Sequence, residues 1–281
     1  MASIMNFSSR GLFAVAAISL AAASLASAAG NMVPNYEVKL LMDPTKVLGS
    51  DFKLTSKVLS AFAMPTTVTK MNVQFLDDDA ETIYNAGWSP RIRNMEGESD
   101  YDLTYKKRYA VSGDDIDGAL TQANSEGFDA NTSKYEAQIE WGYQKKTLSL
   151  SNDKTASGAS GTNLPNVGDS QDMLIDNAPD KFIDWTSDNW GTTELKTARI
   201  YGPVLAKRST GTWSGVKLYV EVWPIKAASG SGIDYIVEAS FKTDSSSDAS
   251  TKQGQLMDLL QDKGWFLPQD SLKTQLIMER Y

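Results

Sequence analysis

Charged and apolar residues alternate through segment after segment of this chain. Arg91, Arg93, Thr104, Lys106 and Arg108 occupy every second position of two neighbouring stretches, with Ile92, Leu103 and Tyr105 between them. That two-residue period is the signature of a β-strand. Glu37 and Lys39 alternate with Val38 and Leu40, and Glu136, Gln138 and Glu140 alternate with Ala137, Ile139 and Trp141. Nearer the C-terminus, Lys217, Tyr219 and Glu221 alternate with Leu218, Val220 and Val222, and Glu238, Ser240 and Lys242 with Val237, Ala239 and Phe241. Each strand has one charged face. Such a face fits the wet side of a half-buried sheet, or the inside of a closed barrel. A face that merely met water would carry mostly Thr, Ser, Lys and Gln, so the recurrence of Arg and Glu favours the barrel.

Between the strands the period changes. Residues 45–62 read as a helix broken near Gly49 and Ser50, and residues 113–127 as a second helix opened by Ser112-Gly113-Asp114-Asp115. Asp77-Asp78-Asp79 reads as a turn or helix start, where carboxylates meet the macrodipole, rather than as a cation cluster. Trp88 before Pro90 reads as a packing residue. Residues 152–170 are small, polar and aperiodic, which predicts a flexible connection between two halves. Residues 172–190 follow as an interrupted helix. Strands are expected at 197–200, 204–208, 216–224 and 233–243, with turns at Gly202-Pro203, Gly211 and Gly230-Ser231-Gly232. Helices at 250–263 and 269–280 end the chain.

Composition removes several chemistries. Among 281 residues there is no cysteine and no histidine, which excludes disulfides, imidazole general bases, Ser-His-Asp hydrolysis and His-ligated zinc. Any metal must sit on oxygen. The net charge of −8, from 35 acidic and 27 basic residues, argues against nucleic acid as a partner. The first 28 residues combine Arg10, an apolar run from Gly11 to Leu25 and the small residues Ala26-Ser27-Ala28. They read as a signal peptide cleaved near Ala28, which predicts a secreted or periplasmic protein with no membrane association after its removal. Residues 29–281 are then one domain.

Residues in this order resemble the CYTH, or triphosphate tunnel metalloenzyme, superfamily. The resemblance rests on Tyr36-Glu37-Val38-Lys39, on Gln74-Phe75-Leu76-Asp77 through Ala86-Gly87-Trp88-Ser89-Pro90-Arg91-Ile92-Arg93, and on Leu103-Thr104-Tyr105-Lys106. It covers roughly residues 35–280. It implies an α+β fold: a closed antiparallel β-barrel of about eight strands, with a charged lumen and helices packed outside. It also implies Mg²⁺ or Mn²⁺, with metal-assisted attack of water on a terminal phosphoryl group. On this basis Glu37, Glu140 and Glu238 are expected to be catalytic, and Glu37, Glu140, Glu221 and Glu238 to ligate metal. Lys39, Arg91, Arg93, Lys106, Arg108, Arg199, Lys207 and Lys242 are expected to bind substrate. One position departs from the family pattern. Where the family's first strand has Glu-x-Glu-x-Lys, this chain has Asn35, Glu37 and Lys39, so one carboxylate is an amide.

Two functions are therefore expected from different classes. One is an exported metal-dependent phosphohydrolase acting on tripolyphosphate, polyphosphate or a nucleoside triphosphate. The other is a non-catalytic tunnel protein that binds a phosphorylated or polyanionic ligand. Outside the cell, inorganic polyphosphate is more available than nucleoside triphosphate.

Overall fold

The structure is a computed structural model and describes residues 29–281 apart from 133, 159, 271 and 272. The signal peptide expected at 1–28 lies outside the described residues. In chain order the elements are β1 (Asn35–Met42), α1 (Pro44–Val47), α2 (Ser56–Ala61), β2 (Thr69–Asp77), α3 (Thr82–Asn85), β3 (Trp88–Met95), β4 (Asp100–Val111), α4 (Ile116–Ser125), β5 (Glu136–Trp141), β6 (Lys146–Ser157), α5 (Val167–Asp176), α6 (Asp180–Ile183), α7 (Trp190–Thr197), β7 (Arg199–Trp213), β8 (Val216–Lys226), β9 (Ile233–Thr243), α8 (Ser246–Asp262) and α9 (Lys273–Arg280).

The strands close into a barrel in the order β1-β5-β6-β4-β3-β2-β7-β8-β9. Among the described residues it has nine strands, in keeping with the closed barrel of about eight that was expected, and it is mixed rather than wholly antiparallel. β1 and β5 run parallel, with Glu37 opposite Glu140, while every other neighbouring pair is antiparallel. No hairpin joins β1 to β5. The chain reaches β5 only after a long excursion that includes α4 on the outside, the kind of crossover that a parallel pair requires.

The alternation seen in the sequence sorts side chains cleanly. Ile92, Leu103, Tyr105, Ile139 and Leu150 point outward into an apolar cluster shared with α4 to α7. Val38, Leu40, Leu218, Val220, Ala239 and Phe241 point outward beneath α2 and α8. Charged partners on the same strands therefore point inward. A third cluster is different in kind. Met71, Val73, Phe75 and Trp223 line the lumen and pack with Ile277 and Met278 of α9. The last helix thus meets inward-facing side chains, whereas the sequence pattern placed all helices outside.

Three local readings change. Residues 152–157 continue β6 and pair with β4 out to Asp100↔Ser157. The rest of the supposed connection is tied to side chains of β2 and β3, since carbonyls of Thr162, Asn163 and Pro165 accept from Asn72, Asn94 and Gln74. β7 is one strand where two were expected, with the Gly202–Pro203 peptide, in the cis form, inside it. Gly211 is not a turn either. A Cβ there would lie 2.0 Å from the Phe62 carbonyl oxygen, and Thr212 N donates to that same oxygen at 2.9 Å, so glycine permits the strand to touch the end of α2. The reversal falls instead at Ser214 and Gly215, both with positive φ, as a two-residue hairpin turn requires. Asp77 and Asp78 prove to be helix-start residues. Asp77 accepts from the amides of Ile83 and Tyr84, and Asp78 from that of Thr82.

Trp88 is fully buried, at 0% exposure, and its ring meets Phe128, Tyr135, Phe182 and Trp185 at centroid distances of 5.4 to 6.5 Å. It joins β3 to the helices outside the barrel. Trp88→Ala is expected to lower unfolding stability by about 3–5 kcal/mol, the usual cost of emptying an aromatic core site. The check is the denaturant midpoint at unchanged slope.

Candidate functional site

The barrel encloses a cavity of about 480 Å³. Eight cationic and six carboxylate side chains line it, and Glu238 is buried behind them as a seventh acid. The chain as a whole has the opposite balance, −8. Cations are therefore gathered into the lumen by the inward phase of the strands, not by composition.

Glu140 on β5 is the centre of one wall. Its Oε2 accepts from Lys39 Nζ at 2.6 Å, and its Oε1 from Lys106 Nζ at 3.0 Å and Ser149 Oγ at 2.7 Å. Arg108 Nε lies 3.9 Å away. Burial by itself would raise the Glu140 carboxyl, but Lys39, Lys106 and Arg108 hold it well below the usual carboxylate range. The two lysines respond differently. Burial works against the Lys39 ammonium, yet Glu140, Glu238 and Glu37 raise it overall, whereas burial wins at Lys106 and lowers it.

On the opposite wall Glu221 Oε1 accepts from Arg208 Nε at 2.8 Å and Nη2 at 2.7 Å. Its Oε2 accepts from Trp223 Nε1 at 2.8 Å and Lys273 Nζ at 2.7 Å. Burial would raise this carboxyl, and Lys273 and Arg208 depress it instead. Lys273 also donates to Glu238 Oε1 at 2.7 Å. Glu238 has fewer cations about it, and burial leaves its carboxyl raised.

β3 and β4 supply the third wall, and here pairing is incomplete. Arg93 is bound by Asp102 at 2.8 Å. Arg91 has no carboxylate within ion-pair distance among the described residues. One guanidinium nitrogen donates to Thr104 Oγ1 at 2.8 Å, Thr104 in turn donates to Asp153 at 2.7 Å, and Arg91 Nε is buried without a partner. Burial first, and the neighbouring Arg93 second, push the Arg91 guanidinium down to about 10. Glu37 lines the cavity without an ion pair among the described residues, opposite Lys242 in register. Gln138 lies between them. The amide orientation that satisfies its neighbours turns nitrogen toward Glu37 at 3.0 Å and oxygen toward Lys242 at 3.1 Å.

Nine of the expected residues therefore share the cavity lining: Glu37, Lys39, Arg91, Arg93, Lys106, Arg108, Glu140, Glu221 and Lys242. Glu238 adjoins it, facing a smaller cavity of about 100 Å³ that Lys39 and Glu140 also border. Two cations lie elsewhere. Arg199 binds Asp79 at 2.5 Å and the Tyr281 carbonyl at 2.9 Å, and stacks on Tyr201. Lys207 is one residue out of phase, opposite Lys70 and Val222 on the outer face, and Arg208 takes the inward position. Reading β7 as two strands with a turn between them concealed that phase. Asp102 was legible from the alternation Asp102, Thr104, Lys106, Arg108. Asp153 was hidden in the polar stretch expected to be a connection, and Lys273 arrives from a helix whose place only the tertiary fold sets.

Of the four carboxylates expected to hold a divalent cation, Glu140, Glu221 and Glu238 are engaged by cations of the chain itself, and Glu37 has no ion pair among the described residues. Glu140 and Glu221 have both oxygens engaged by internal donors, and Glu238 shares Lys273 with Glu221. The amide of Asn35 turns to Glu136. Among the described residues, no group of three acidic side chains is placed to hold a metal ion. The acceptors of Glu140 and Glu221, and one oxygen of Glu238, are filled by ammonium and guanidinium groups of the chain.

The Glu140 cluster makes stability depend on pH with a defined sign. A carboxyl whose folded pKa lies below its unfolded value near 4.5 contributes fully above that value, and the contribution is lost as pH falls through the folded pKa. Denaturation between pH 7 and 3 is expected to show stability falling below about pH 4.5, with a shallower fall in Glu140→Gln. At pH 7 that variant should be about 3–5 kcal/mol less stable, because Lys39 and Lys106 then face each other without their anion.

No family model matches the chain, and no curated protein matches it. Among solved structures, several are similar to this chain over most of its length. HpAC1 from Hippeastrum, described as revealing a dominant triphosphatase activity, is 13% identical, with a TM-score of 0.48 over 87% of this chain and 99% of that one. An adenylate cyclase candidate from Bacillus halodurans is 13% identical, with a TM-score of 0.45 over 89% and 98%. PH1819 from Pyrococcus horikoshii is 13% identical, with a TM-score of 0.41 over 86% and 98%.

Proposed function

We propose that this protein takes a linear phosphate polyanion into its lumen and acts on the terminal phosphoryl group, outside the cytoplasm where its leader-like first 28 residues direct it. Tripolyphosphate, inorganic polyphosphate and the triphosphate of a nucleotide share the chemistry. The observation that carries the reading is Arg91: a guanidinium enclosed in the barrel with a buried, unpartnered Nε and no carboxylate within ion-pair distance among the described residues. Leaving such a group uncompensated costs free energy, and an anion at that wall supplies the missing acceptor. Arg93 and Arg108 flank the same place, and a guanidinium fork matches two phosphate oxygens at once. The cavity volume falls within the range of small-ligand sites.

Phosphoryl transfer needs positioning and neutralisation of charge more than covalent chemistry. Arg91, Arg93, Arg108 and Lys106 meet those needs on one wall. In this reading Glu37, a lumen carboxylate without an ion pair among the described residues, accepts a hydrogen bond from the attacking water. Capture without turnover is the second reading. It is favoured by the internal cations that occupy Glu140, Glu221 and Glu238.

The test is a thermal-shift and binding titration of the mature chain with tripolyphosphate, against sulfate at equal ionic strength, together with assay of phosphate release. Tripolyphosphate is expected to stabilise the protein, and Arg91→Met to weaken its binding about 10- to 100-fold, the range for a lost hydrogen bond to a charged group. The same variant should leave the ligand-free protein as stable or more so, since it removes an unpaired enclosed charge. No stabilisation beyond that given by sulfate defeats the reading. Binding with phosphate release that disappears in Glu37→Gln selects hydrolysis, and binding without release selects capture.

A further inference from the structure

Glu221 and Glu238 stand opposite each other on β8 and β9. Their side chains leave the same face of adjacent strands, where directly opposed residues are near neighbours. Both are enclosed, with side-chain exposures of 6% and 3%. Two carboxylates so placed need a cation between them, and for oxygen ligands beside a phosphate chain the ordinary choice is a hard divalent ion. Here the cation belongs to the chain. Lys273 Nζ lies 2.7 Å from Glu221 and 2.7 Å from Glu238, and is itself 20% exposed.

Nothing about this contact is incidental to a loose tail. One turn further along α9, Ile277 and Met278 are buried among Met71, Val73, Phe75 and Trp223, and Thr274 sits within 3.4 Å of Arg108 Nη2. The helix is therefore seated by apolar packing, and Lys273 is delivered to the two carboxylates from it. The remaining Glu221 oxygen is saturated by the Arg208 fork.

We infer that Lys273 is a built-in cation that takes the place of a divalent ion between Glu221 and Glu238, so that the lumen accepts its anion without a metal. The first clause stands on the ion pairs alone, and the second rests on the polyanion reading above. Lys273 is thus a specificity-determining residue: it neutralises the carboxylate wall and leaves the Arg91 wall to the ligand.

Mn²⁺ titration of the mature full-length protein, read by the electron paramagnetic resonance of the free ion, tests the first clause. The wild type and Lys273→Arg are expected to show no saturable site below about 1 mM, while Lys273→Met gains one at least about 10-fold tighter that disappears in Lys273→Met/Glu221→Gln. A submillimolar site in the wild type that Glu221→Gln abolishes overturns the inference, as does a folded Lys273→Met that gains no site. Should Lys273→Met fail to fold, the wild type and Lys273→Arg decide the matter. For the second clause, tripolyphosphate affinity of the wild type should agree within about two-fold between excess chelator and Mg²⁺, and a loss of about ten-fold or more in chelator overturns it. If tripolyphosphate fails to bind under either condition, the polyanion reading fails, and the Mn²⁺ arm still decides the role of Lys273.

Discussion

Charge enclosed by a closed barrel has to be balanced from inside, and the structure of this protein depends on how that balance is reached. Water cannot solvate the lumen side chains as it does surface ones, so each carboxylate there either collects cations or is driven toward its neutral form. Glu140 and Glu221 collect two or more cations each and are held firmly ionised. Glu238, with one close partner, is raised. Arg91 has no counter-ion among the described residues and is pulled down. The four groups form a graded series, from overcompensated carboxylate to uncompensated cation, across a few strands of one barrel.

That arrangement is tolerable because the lumen is not where most of the stability comes from. Two apolar clusters lie on the outside of the strands, one under α4 to α7 and one under α2 and α8. They bury the complementary face of the same β-residues that point charges inward. A strand such as β4 therefore serves both purposes at once, with Leu103 and Tyr105 packing outward while Thr104, Lys106 and Arg108 face the cavity. Slipping its register by one residue would exchange the two faces and fail on both.

The C-terminal helix breaks this division of labour. It brings apolar side chains against inward-facing residues and an ammonium to the carboxylate pair. One wall of the lumen is thereby satisfied internally, while Arg91 on the β3–β4 wall keeps a buried Nε without a partner.

The alternation of residues by itself determined a good deal. It set the strand faces, the inward phase of β1, β3, β4, β5, β8 and β9, and nine of the side chains that line the cavity, because a period of two needs only local sequence to be read. It failed where pairing geometry decides. The parallel β1–β5 contact and the single long β7 follow from which strands meet in three dimensions, and the one-residue phase between Lys207 and Arg208 follows from that pairing. Asp153 was masked by a polar stretch that becomes a strand only because β4 lies beside it. Lys273 could not be placed from its neighbours in sequence, since its partners Glu221 and Glu238 lie 52 and 35 residues away. Above all, which charges neutralise one another and which is left without a partner is a question of distances across the lumen, and only the closed barrel supplies those.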